Sequence, residues 1–397
     1  MRSLKPTCQW RAGPKEDHDP NPGNEDRLPH PGHHPRTAGV GTVHFFVMAS
    51  CLNLKATLRT LQAALILTTM TLSAAHTAAS PTPRPDTSAI RAAMQPLDMT
   101  DSGVPSYPPA IADYFHFYGL DLPVRHRFDS VQSDSFALAT HVFEPESARG
   151  TVFVLHGYYD HTGLLSRTIR ACVDHGWAVV AFDLPGHGVS SGARASIGDF
   201  AEYADAARSV VAACSSRVPR PYVMVGHSTG CAAIVEYLHR NPSSPITGAV
   251  LTAPLVRSCL YHVSVAGYWV LKPFSGTWPR WFRQSSSDRD FLTFLHDDPL
   301  TDRRFPVLWA TANYAWFDRV QSYAPMPTPV TVVQGSDDNV VDWRFNVPFL
   351  QRLFPTCSVR MIEGARHHLL NEAPPLRRQA EEAVVQGLDA VTAGTPR

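Results

Sequence analysis

The sequence GHSTG at residues 226–230 places Ser228 between two glycines, where its hydroxyl could attack a carbonyl carbon. It follows the apolar run YVMVG and precedes a segment whose apolar residues recur at helical spacing, which predicts a strand, a sharp turn and a helix. Gly226 and Gly230 relieve the crowding of such a turn, so Ser228 can hold a strained backbone conformation. This context favours a catalytic serine over an ordinary glycine-rich turn.

A serine hydroxyl is a poor nucleophile near neutral pH, so it needs an imidazole to take its proton and a carboxylate to orient that imidazole. Two downstream segments supply these groups, GSDDNVVD at 335–342 and EGARHHLLNE at 363–372. Each follows an apolar run that is typical of a strand. The chain order serine, acid, histidine is the one found where the serine stands on a strand-to-helix turn of an open α/β sheet.

Each of the two segments offers more than one candidate. Asp337 and Asp338 are adjacent, and neighbouring side chains in extended or turn backbone point apart, so only one of them can face the histidine. Asp342 is better placed to cap the helix that follows. His367 and His368 are also adjacent, and the residues alone leave the choice between them open.

From about residue 110 the chain alternates short apolar runs with longer amphipathic ones, which predicts parallel strands joined by crossover helices. Several of the short runs are apolar at nearly every position, as expected of strands covered on both faces. Strands are expected at 137–143, 151–155, 178–182, 222–226, 248–253, 330–334 and 358–362. Helices are expected at 163–175, 199–216, 229–240, 341–353 and 374–390. The fold class is therefore α/β, with a mostly parallel sheet and helices on both faces.

Residues 257–327 separate two predicted strands by far more than the usual connection of about 2 to 6 residues, which indicates an insertion between the core segments 110–256 and 328–392. The insertion is rich in aromatic residues. These suit either the small core of a helical subdomain or a cap that lines an apolar pocket, and both interpretations can hold for different rings. Its tryptophans are Trp269, Trp278, Trp281, Trp309 and Trp316.

Five motifs in this order resemble the monoacylglycerol lipase and lysophospholipase branch of the α/β-hydrolases: LHGYYDH, FDLPGHGVSSG, GHSTG, QGSDDNVVD and EGARHHLLNE. The likeness covers about residues 110–390. It implies an α/β-hydrolase fold with an inserted helical cap. It also implies hydrolysis of a carboxylic ester through an acyl-enzyme on Ser228, without a cofactor.

The resemblance also assigns the remaining roles. The family's acid, third after the glycine of a GSxD run, falls on Asp338, and the histidine that ends its GAxH run falls on His367. The oxyanion of a tetrahedral intermediate needs two preorganised backbone donors. One is the N–H of Thr229, the residue after the nucleophile. The family's HGxxxH loop places the other on Tyr158.

Other polar patterns predict scaffolding and no further site. DLPGHGVSSG at 183–192 lacks the lysine and the spacing of a phosphate loop, so Asp183 and Ser190 are expected to be turn and hydrogen-bonding residues. His156 and His161 are expected to hold their loop, and we infer no metal ligand in either. Lysine plus arginine and aspartate plus glutamate each number 35, so no net positive field favours nucleic acid as a partner.

The N-terminal part of the chain divides by composition. Residues 1–47 are rich in proline, histidine and charge, which predicts a disordered tail or an over-extended start. Residues 48–80 run from basic to apolar to small residues, which predicts a cleaved signal peptide and a periplasmic or secreted protein, with an uncleaved membrane anchor as the alternative. A linker is expected at 81–109. N-terminal sequencing of the exported protein tests cleavage, and a mature chain that begins at the first residue would contradict it.

Three functions fit these residues. The leading hypothesis is a serine hydrolase for lipid-like esters, monoacylglycerols or lysophospholipids, whose cap holds the acyl chain and makes transient contact with a membrane surface. The second is an aminopeptidase-like hydrolase, which needs carboxylates to hold a free amine. The third is a ligand-binding protein on the same scaffold, against which an intact triad argues. The insertion offers the second hypothesis five aspartates, which solvated loops explain as well: Asp288, Asp290, Asp297, Asp298 and Asp302.

Overall fold

The computed structural model describes residues 84–100, 103, 105–273 and 276–393. The tail expected at 1–47 and the signal peptide expected at 48–80 lie outside these residues. Within the described ranges, no helix combines the length and the apolar character needed to span a bilayer.

An eight-stranded, mostly parallel sheet forms the centre of the fold, with the order β1-β2-β4-β3-β5-β6-β9-β10. Within the described part of this sheet, only the pairs β1–β2 and β2–β4 are antiparallel. Two further strands, β7 and β8, form a small separate sheet. The strands of the described residues are β1 (Arg125–Gln132), β2 (Ala137–Glu144), β3 (Thr151–Leu155), β4 (Ala178–Phe182), β5 (Tyr222–His227), β6 (Ile246–Thr252), β7 (Thr277–Pro279), β8 (Arg304–Pro306), β9 (Val330–Gly335) and β10 (Ser358–Ile362).

Helices cover both faces of the large sheet, as the sequence predicts. Every residue of β3 is buried, and its side chains alternate between the two faces. Phe153 and Leu155 join one hydrophobic cluster, whereas Val152 and Val154 join the other. The helices are α1 (Thr87–Ala93), α2 (Pro109–Tyr118), α3 (Ser166–Asp174), α4 (Phe200–Cys214), α5 (Thr229–Arg240), α6 (Tyr261–Leu271), α7 (Arg289–Asp297), α8 (Val307–Val320), α9 (Trp343–Leu353) and α10 (Pro374–Thr392).

The segment 81–109, expected to be a linker, contains the helix α1, which packs on the core through Ile90. Asp86 caps this helix by accepting hydrogen bonds from the backbone of Ser88 and Ala89, at 2.9 and 3.2 Å. Ile90 is fully buried and joins the cluster that contains Val152. The seven residues of α1 are too few to show a helical period in the sequence, and burial of Ile90 stabilises them instead.

The interval 257–327 holds α6, β7, α7, β8 and α8, so the insertion contains a small sheet besides its helices. Its tryptophans divide between two environments. Trp316 is fully buried in the hydrophobic cluster that contains Phe153 and Leu155. Trp269 and Trp281, in contrast, are 64% and 93% exposed. Burial in a core therefore accounts for some of these rings and not for others.

Candidate active site

Ser228 lies on a tight turn between β5 and α5, with backbone angles φ 51° and ψ −111°. A residue other than glycine rarely adopts these backbone angles unless its surroundings stabilise them. Here the backbone N–H of Ser228 donates to the carbonyl of Thr252 at 3.0 Å, and its own carbonyl accepts from Cys231 and Leu255. A Cβ atom on Gly230 would overlap the carbonyl oxygen of Leu155. The turn therefore requires a glycine at 230 and presents the serine side chain at the end of the sheet.

His367 and Asp338 form a buried pair at the ends of the neighbouring strands β9 and β10. Nδ1 of His367 lies 2.8 Å from Oδ2 of Asp338. The other carboxylate oxygen accepts hydrogen bonds from the backbone of Val340 and Val341, at 2.8 and 3.1 Å. Burial raises the pKa of Asp338, but His367 and these two N–H groups outweigh it and hold that pKa below its ordinary value. Asp338 is therefore a carboxylate that can orient the imidazole.

The neighbouring candidates make other contacts. Asp337 is exposed, and its backbone N–H donates to the carbonyl of Ala365 at 2.9 Å. Asp342 accepts from Nε of Arg257 at 3.1 Å, just before α9. Of the three aspartates in this segment, Asp338 is thus the one that contacts His367.

Replacing Asp338 with asparagine should lower kcat by about 10⁴-fold, because an amide neither fixes the tautomer nor stabilises the imidazolium that forms during the reaction. Steady-state hydrolysis of a soluble ester measures the loss. Asp337→Asn is the matched control and should keep most of the activity, since its side chain is exposed. A larger loss at 337 than at 338 would contradict the assignment of the acid.

Ser228, Thr229 and His367 all line one cavity of about 520 Å³, together with Tyr158. Among the described residues, the Ser228 hydroxyl makes no hydrogen bond to His367, a contact that often forms only when substrate binds. The remaining wall is largely aromatic and comes mostly from the insertion. It includes Tyr268, Trp278, Trp281, Phe282, Leu295, Phe305, Trp309 and Tyr314.

The two predicted oxyanion donors lie at the serine end of this cavity. Neither the backbone N–H of Thr229 nor that of Tyr158 donates to another described residue, so both remain available to a ligand. Residues 156–161 form the loop that carries Tyr158, here called the Tyr158 loop. A Cβ on Gly157 would lie 3.2 Å from Cβ of Ser228, which shows how closely this loop approaches the serine. The Tyr158 hydroxyl donates to the carbonyl of Ala195 at 2.7 Å and anchors the ring away from the serine.

Buried polar contacts hold the Tyr158 loop in place. Nε2 of His156 accepts a hydrogen bond from the backbone of Leu184 at 2.8 Å. Nε2 of His161 lies 2.8 Å from Oδ2 of Asp298. Nδ1 of the same ring accepts from the backbone N–H of Gly163 at 3.1 Å, so Nε2 carries the hydrogen and donates to Asp298, which joins the loop to the insertion. His156 and His161 thus have the structural contacts expected of scaffolding.

Asp183 and Ser190 also have the contacts expected of turn residues. The Asp183 carboxylate accepts from the backbone of Thr162 at 2.7 Å and of Val189 at 2.8 Å. The Ser190 hydroxyl donates to the carbonyl of Asp183 at 2.7 Å. Together these bonds fix the DLPGHGVSSG segment beneath the Tyr158 loop.

Sequence reasoning missed a second buried polar group, which lies beside the His367–Asp338 pair. It is formed by Asp160, His227 and His368. Oδ2 of Asp160 lies 3.0 Å from Nδ1 of His227, and Oδ1 lies 3.3 Å from Nε2 of His368. Burial raises the pKa of Asp160, but the two imidazoles bring it well below its ordinary value. The sequence did offer a signal for the two histidines, because each is adjacent to a predicted site residue: His227 precedes Ser228, and His368 follows His367.

The chain matches the family model described as serine aminopeptidase, S33, over residues 146–374. A monoglyceride lipase homolog of Monkeypox virus is 25% identical over 245 residues, which cover 59% of this chain and 88% of the relative. Phospholipase YtpA of Bacillus subtilis is 25% identical over 234 residues, with coverages of 56% and 88%.

The crystal structure of a soluble variant of monoglyceride lipase from Saccharomyces cerevisiae, in complex with a substrate analogue, shares the fold. Its TM-score is 0.60 at 19% identity, and the match covers 68% of this chain and 97% of the yeast chain. A structural likeness at this low sequence identity shows the fold alone. The match to the family model shows the family to which the chain belongs. The chain belongs to the serine aminopeptidase S33 family and is an α/β-hydrolase of the monoacylglycerol lipase and lysophospholipase branch.

Proposed function

We propose that this lipase- or esterase-like hydrolase cleaves carboxylic esters of lipid-like substrates, monoacylglycerols or lysophospholipids, through an acyl-enzyme on Ser228. The observation that carries the proposal is that the strained serine turn and the His367–Asp338 pair open into one largely aromatic cavity. A cavity of about 520 Å³ has the size of a small-molecule site and offers an acyl chain an apolar surface.

In the proposed mechanism, Oγ of Ser228 attacks the ester carbonyl while Nε2 of His367 takes its proton. Asp338 stabilises the resulting imidazolium through Nδ1, and the N–H groups of Thr229 and Tyr158 bind the oxyanion. His367 then protonates the leaving alcohol, which leaves an acyl group on Ser228. A water molecule, deprotonated by the same imidazole, attacks this acyl-enzyme and releases the fatty acid.

The aminopeptidase-like hypothesis finds less support in the cavity. Among the described residues that line it, Asp160 is the only acidic one, and two histidines already contact its carboxylate. Asp298 is paired with His161, and Asp288 caps α7. None of the five aspartates considered for a free amine lines the cavity.

A panel of monoacyl esters of increasing chain length, run beside amino-acid anilides, should show kcat/KM rising with acyl length until the chain fills the cavity. The gain reflects burial of about 0.8 kcal/mol per methylene. Replacing Trp309 with alanine should flatten the rise, because its ring lines the wall and stacks on Tyr158 at 3.8 Å between centroids. A preference for anilides, or a flat profile in the unmodified chain, would contradict the lipid-like substrate. A folded chain that a fluorophosphonate fails to label would favour the ligand-binding protein instead.

The proposed membrane contact rests on apolar side chains that the insertion exposes to solvent. Leu260, Val263 and Val270 follow one another on or beside α6, and all are more than half exposed. Trp269 lies next to them, and the ammonium of Lys272 lies 5.3 Å from its ring centroid. Tryptophan with a nearby cation suits an interface between acyl chains and anionic headgroups. We therefore propose a lipid surface as the partner of this patch.

Replacing Trp269 with serine should reduce co-sedimentation with vesicles of phosphatidylglycerol and phosphatidylcholine, because the ring would otherwise bury apolar surface at the interface. Turnover of a short soluble ester should change little. Met361→Ser on β10 is the matched control, since Met361 is also an exposed apolar residue but lies outside the insertion. Equal loss in both variants, or none in either, would contradict the proposed patch.

A further inference from the structure

The residues Asp160, His227 and His368, here called the Asp160 cluster, form a compact group of metal-binding side chains that the proposed mechanism does not use. All three are buried and line the cavity beside Ser228. One ligand atom from each lies within 4.8 Å of the others. They come from three separate segments, the Tyr158 loop, the end of β5 and the loop after β10.

The hydrogen bonds of His227 leave two acceptor atoms facing each other if the ring is neutral. Nε2 of His227 lies 3.2 Å from the carbonyl oxygen of His367, and because a carbonyl only accepts, this nitrogen carries a hydrogen. In the neutral ring Nδ1 is then an acceptor, yet it faces a carboxylate oxygen of Asp160 at 3.0 Å. Two acceptors at this distance need either a second ring proton or a metal ion between them.

The outer contacts of both histidines are those that metal-bound histidines make. A metal-ligating imidazole donates its other N–H to a backbone carbonyl, a carboxylate or a similar oxygen, which fixes the ring. For His227 that partner is the carbonyl of His367. For His368 the hydroxyl of Ser285, 2.9 Å from Nδ1, fills that place in the tautomer that carries its hydrogen on Nδ1. Nε2 of His368 and Nδ1 of His227 are thereby both directed at Asp160.

The distances within the cluster fit a small tetrahedral ion. Bonds of about 2.0 to 2.2 Å at tetrahedral angles place neighbouring ligand atoms about 3.3 to 3.6 Å apart. The contacts of Asp160 with the two imidazoles, 3.0 Å from Oδ2 and 3.3 Å from Oδ1, are close to this spacing, and ligand atoms of all three residues lie within 4.8 Å of one another. Two imidazoles and one carboxylate suit zinc, whereas magnesium and calcium prefer oxygen ligands. The fourth position would face the cavity and hold water.

We propose that Asp160, His227 and His368 bind one divalent transition-metal ion, with Zn²⁺ as the best fit, and that the occupied site slows ester turnover. Binding replaces the proton between His227 and Asp160, which passes to solvent. The metal and its water then occupy cavity space beside Ser228. This inference goes beyond the proposed function, because ester hydrolysis as described above needs no metal.

The full chain, treated with EDTA and desalted, is titrated with ZnCl₂ by calorimetry beside the variants Asp160→Asn and His368→Gln. The chain carries other histidines, including His30, His33 and His34, so the decisive quantity is the difference between variants. The unmodified chain should bind one more tight Zn²⁺ ion than either variant, with an affinity at least about 100-fold higher at that site. His296→Gln is the matched control, because His296 and Asp297 form an exposed histidine–aspartate pair 2.9 Å apart.

Two measurements keep the test decisive if a variant folds poorly. Co²⁺ added to the unmodified chain should give the intense visible absorption of a tetrahedral site, and Zn²⁺ should displace it. Zn²⁺ should also raise the unfolding temperature of the unmodified chain by mass action, an effect that EDTA reverses. Neither readout depends on ester hydrolysis.

Equal Zn²⁺ binding by the unmodified chain and both variants, or loss of the tight ion in His296→Gln alone, would overturn the proposed site. Absence of a tetrahedral Co²⁺ spectrum would do the same. If the tight ion binds as expected but turnover of a soluble ester is unchanged at saturating Zn²⁺, the binding site stands and the inhibitory part of the proposal is wrong.

Discussion

Replacing Ser228 with alanine should lower kcat for ester hydrolysis by about 10⁶-fold, because in the proposed mechanism the hydroxyl forms the bond to the acyl group, and His367 and Asp338 act only through it. Alanine keeps the Cβ atom, so the backbone at φ 51° is no more strained than before. The backbone bonds to Thr252, Cys231 and Leu255 are unaffected. The fold should therefore persist while turnover is lost.

The loss is measured as kcat on a soluble monoacyl ester, together with labelling by a fluorophosphonate and thermal unfolding. Ser258→Ala is the matched control, because Ser258 lines the same cavity but lies outside the turn, and it should keep most of the activity. A labelled Ser228→Ala chain, or one with nearly normal turnover, would place the nucleophile elsewhere.

The central strands were predictable because burial on both faces leaves a continuous apolar run in the sequence. The bounds of β3 and β4 coincide with the predicted runs 151–155 and 178–182. β1 was missed, since RHRFDSVQ is largely polar and the strand lies at the edge of the sheet. Pairing with β2, including the ion pair between Arg127 and Glu144, holds it there. Such partners cannot be read from a single segment.

The candidate site likewise contains residues that could be predicted from one segment of the sequence and residues that could not. Ser228 follows directly on β5, and Asp338 and His367 lie in the loops just after β9 and β10; these parallel strands end at one edge of the sheet. The role of Asp160 depends instead on contacts 67 and 208 residues away along the chain. The sequence shows each side chain but not that the three meet.

The aromatic residues of the insertion show what the sequence alone does not predict. A high density of rings predicts burial of apolar area, but the sequence does not tell which rings face the core. Trp316 stacks on Phe200 in the core at 5.3 Å between centroids, whereas Trp309 contributes both to that cluster and to the cavity wall. Trp281, in the same insertion, is nearly fully exposed. The packing of α8 against α4, which buries Trp316 on Phe200, is what separates these cases.

Replacing His367 with alanine should also lower kcat by about 10⁶-fold, since the variant loses the imidazole that takes the Ser228 proton in the proposed mechanism. The backbone carbonyl of His367, which accepts from His227, remains, so the neighbouring contacts should survive. Added imidazole should restore part of the lost activity, because the small base fits the vacated space in the cavity. A residue with a purely structural role would not respond in this way.

His368→Ala is the matched control, and the structure predicts a smaller loss. His368 lies next to His367 in the chain but contacts Ser285 and Asp160, whereas His367 contacts Asp338. Its removal should therefore disturb the Asp160 cluster without removing the general base, and imidazole should not rescue it. If His368→Ala were the inactive, imidazole-rescued variant and His367→Ala kept its turnover, the base would be His368, and the His367–Asp338 pair would be structural.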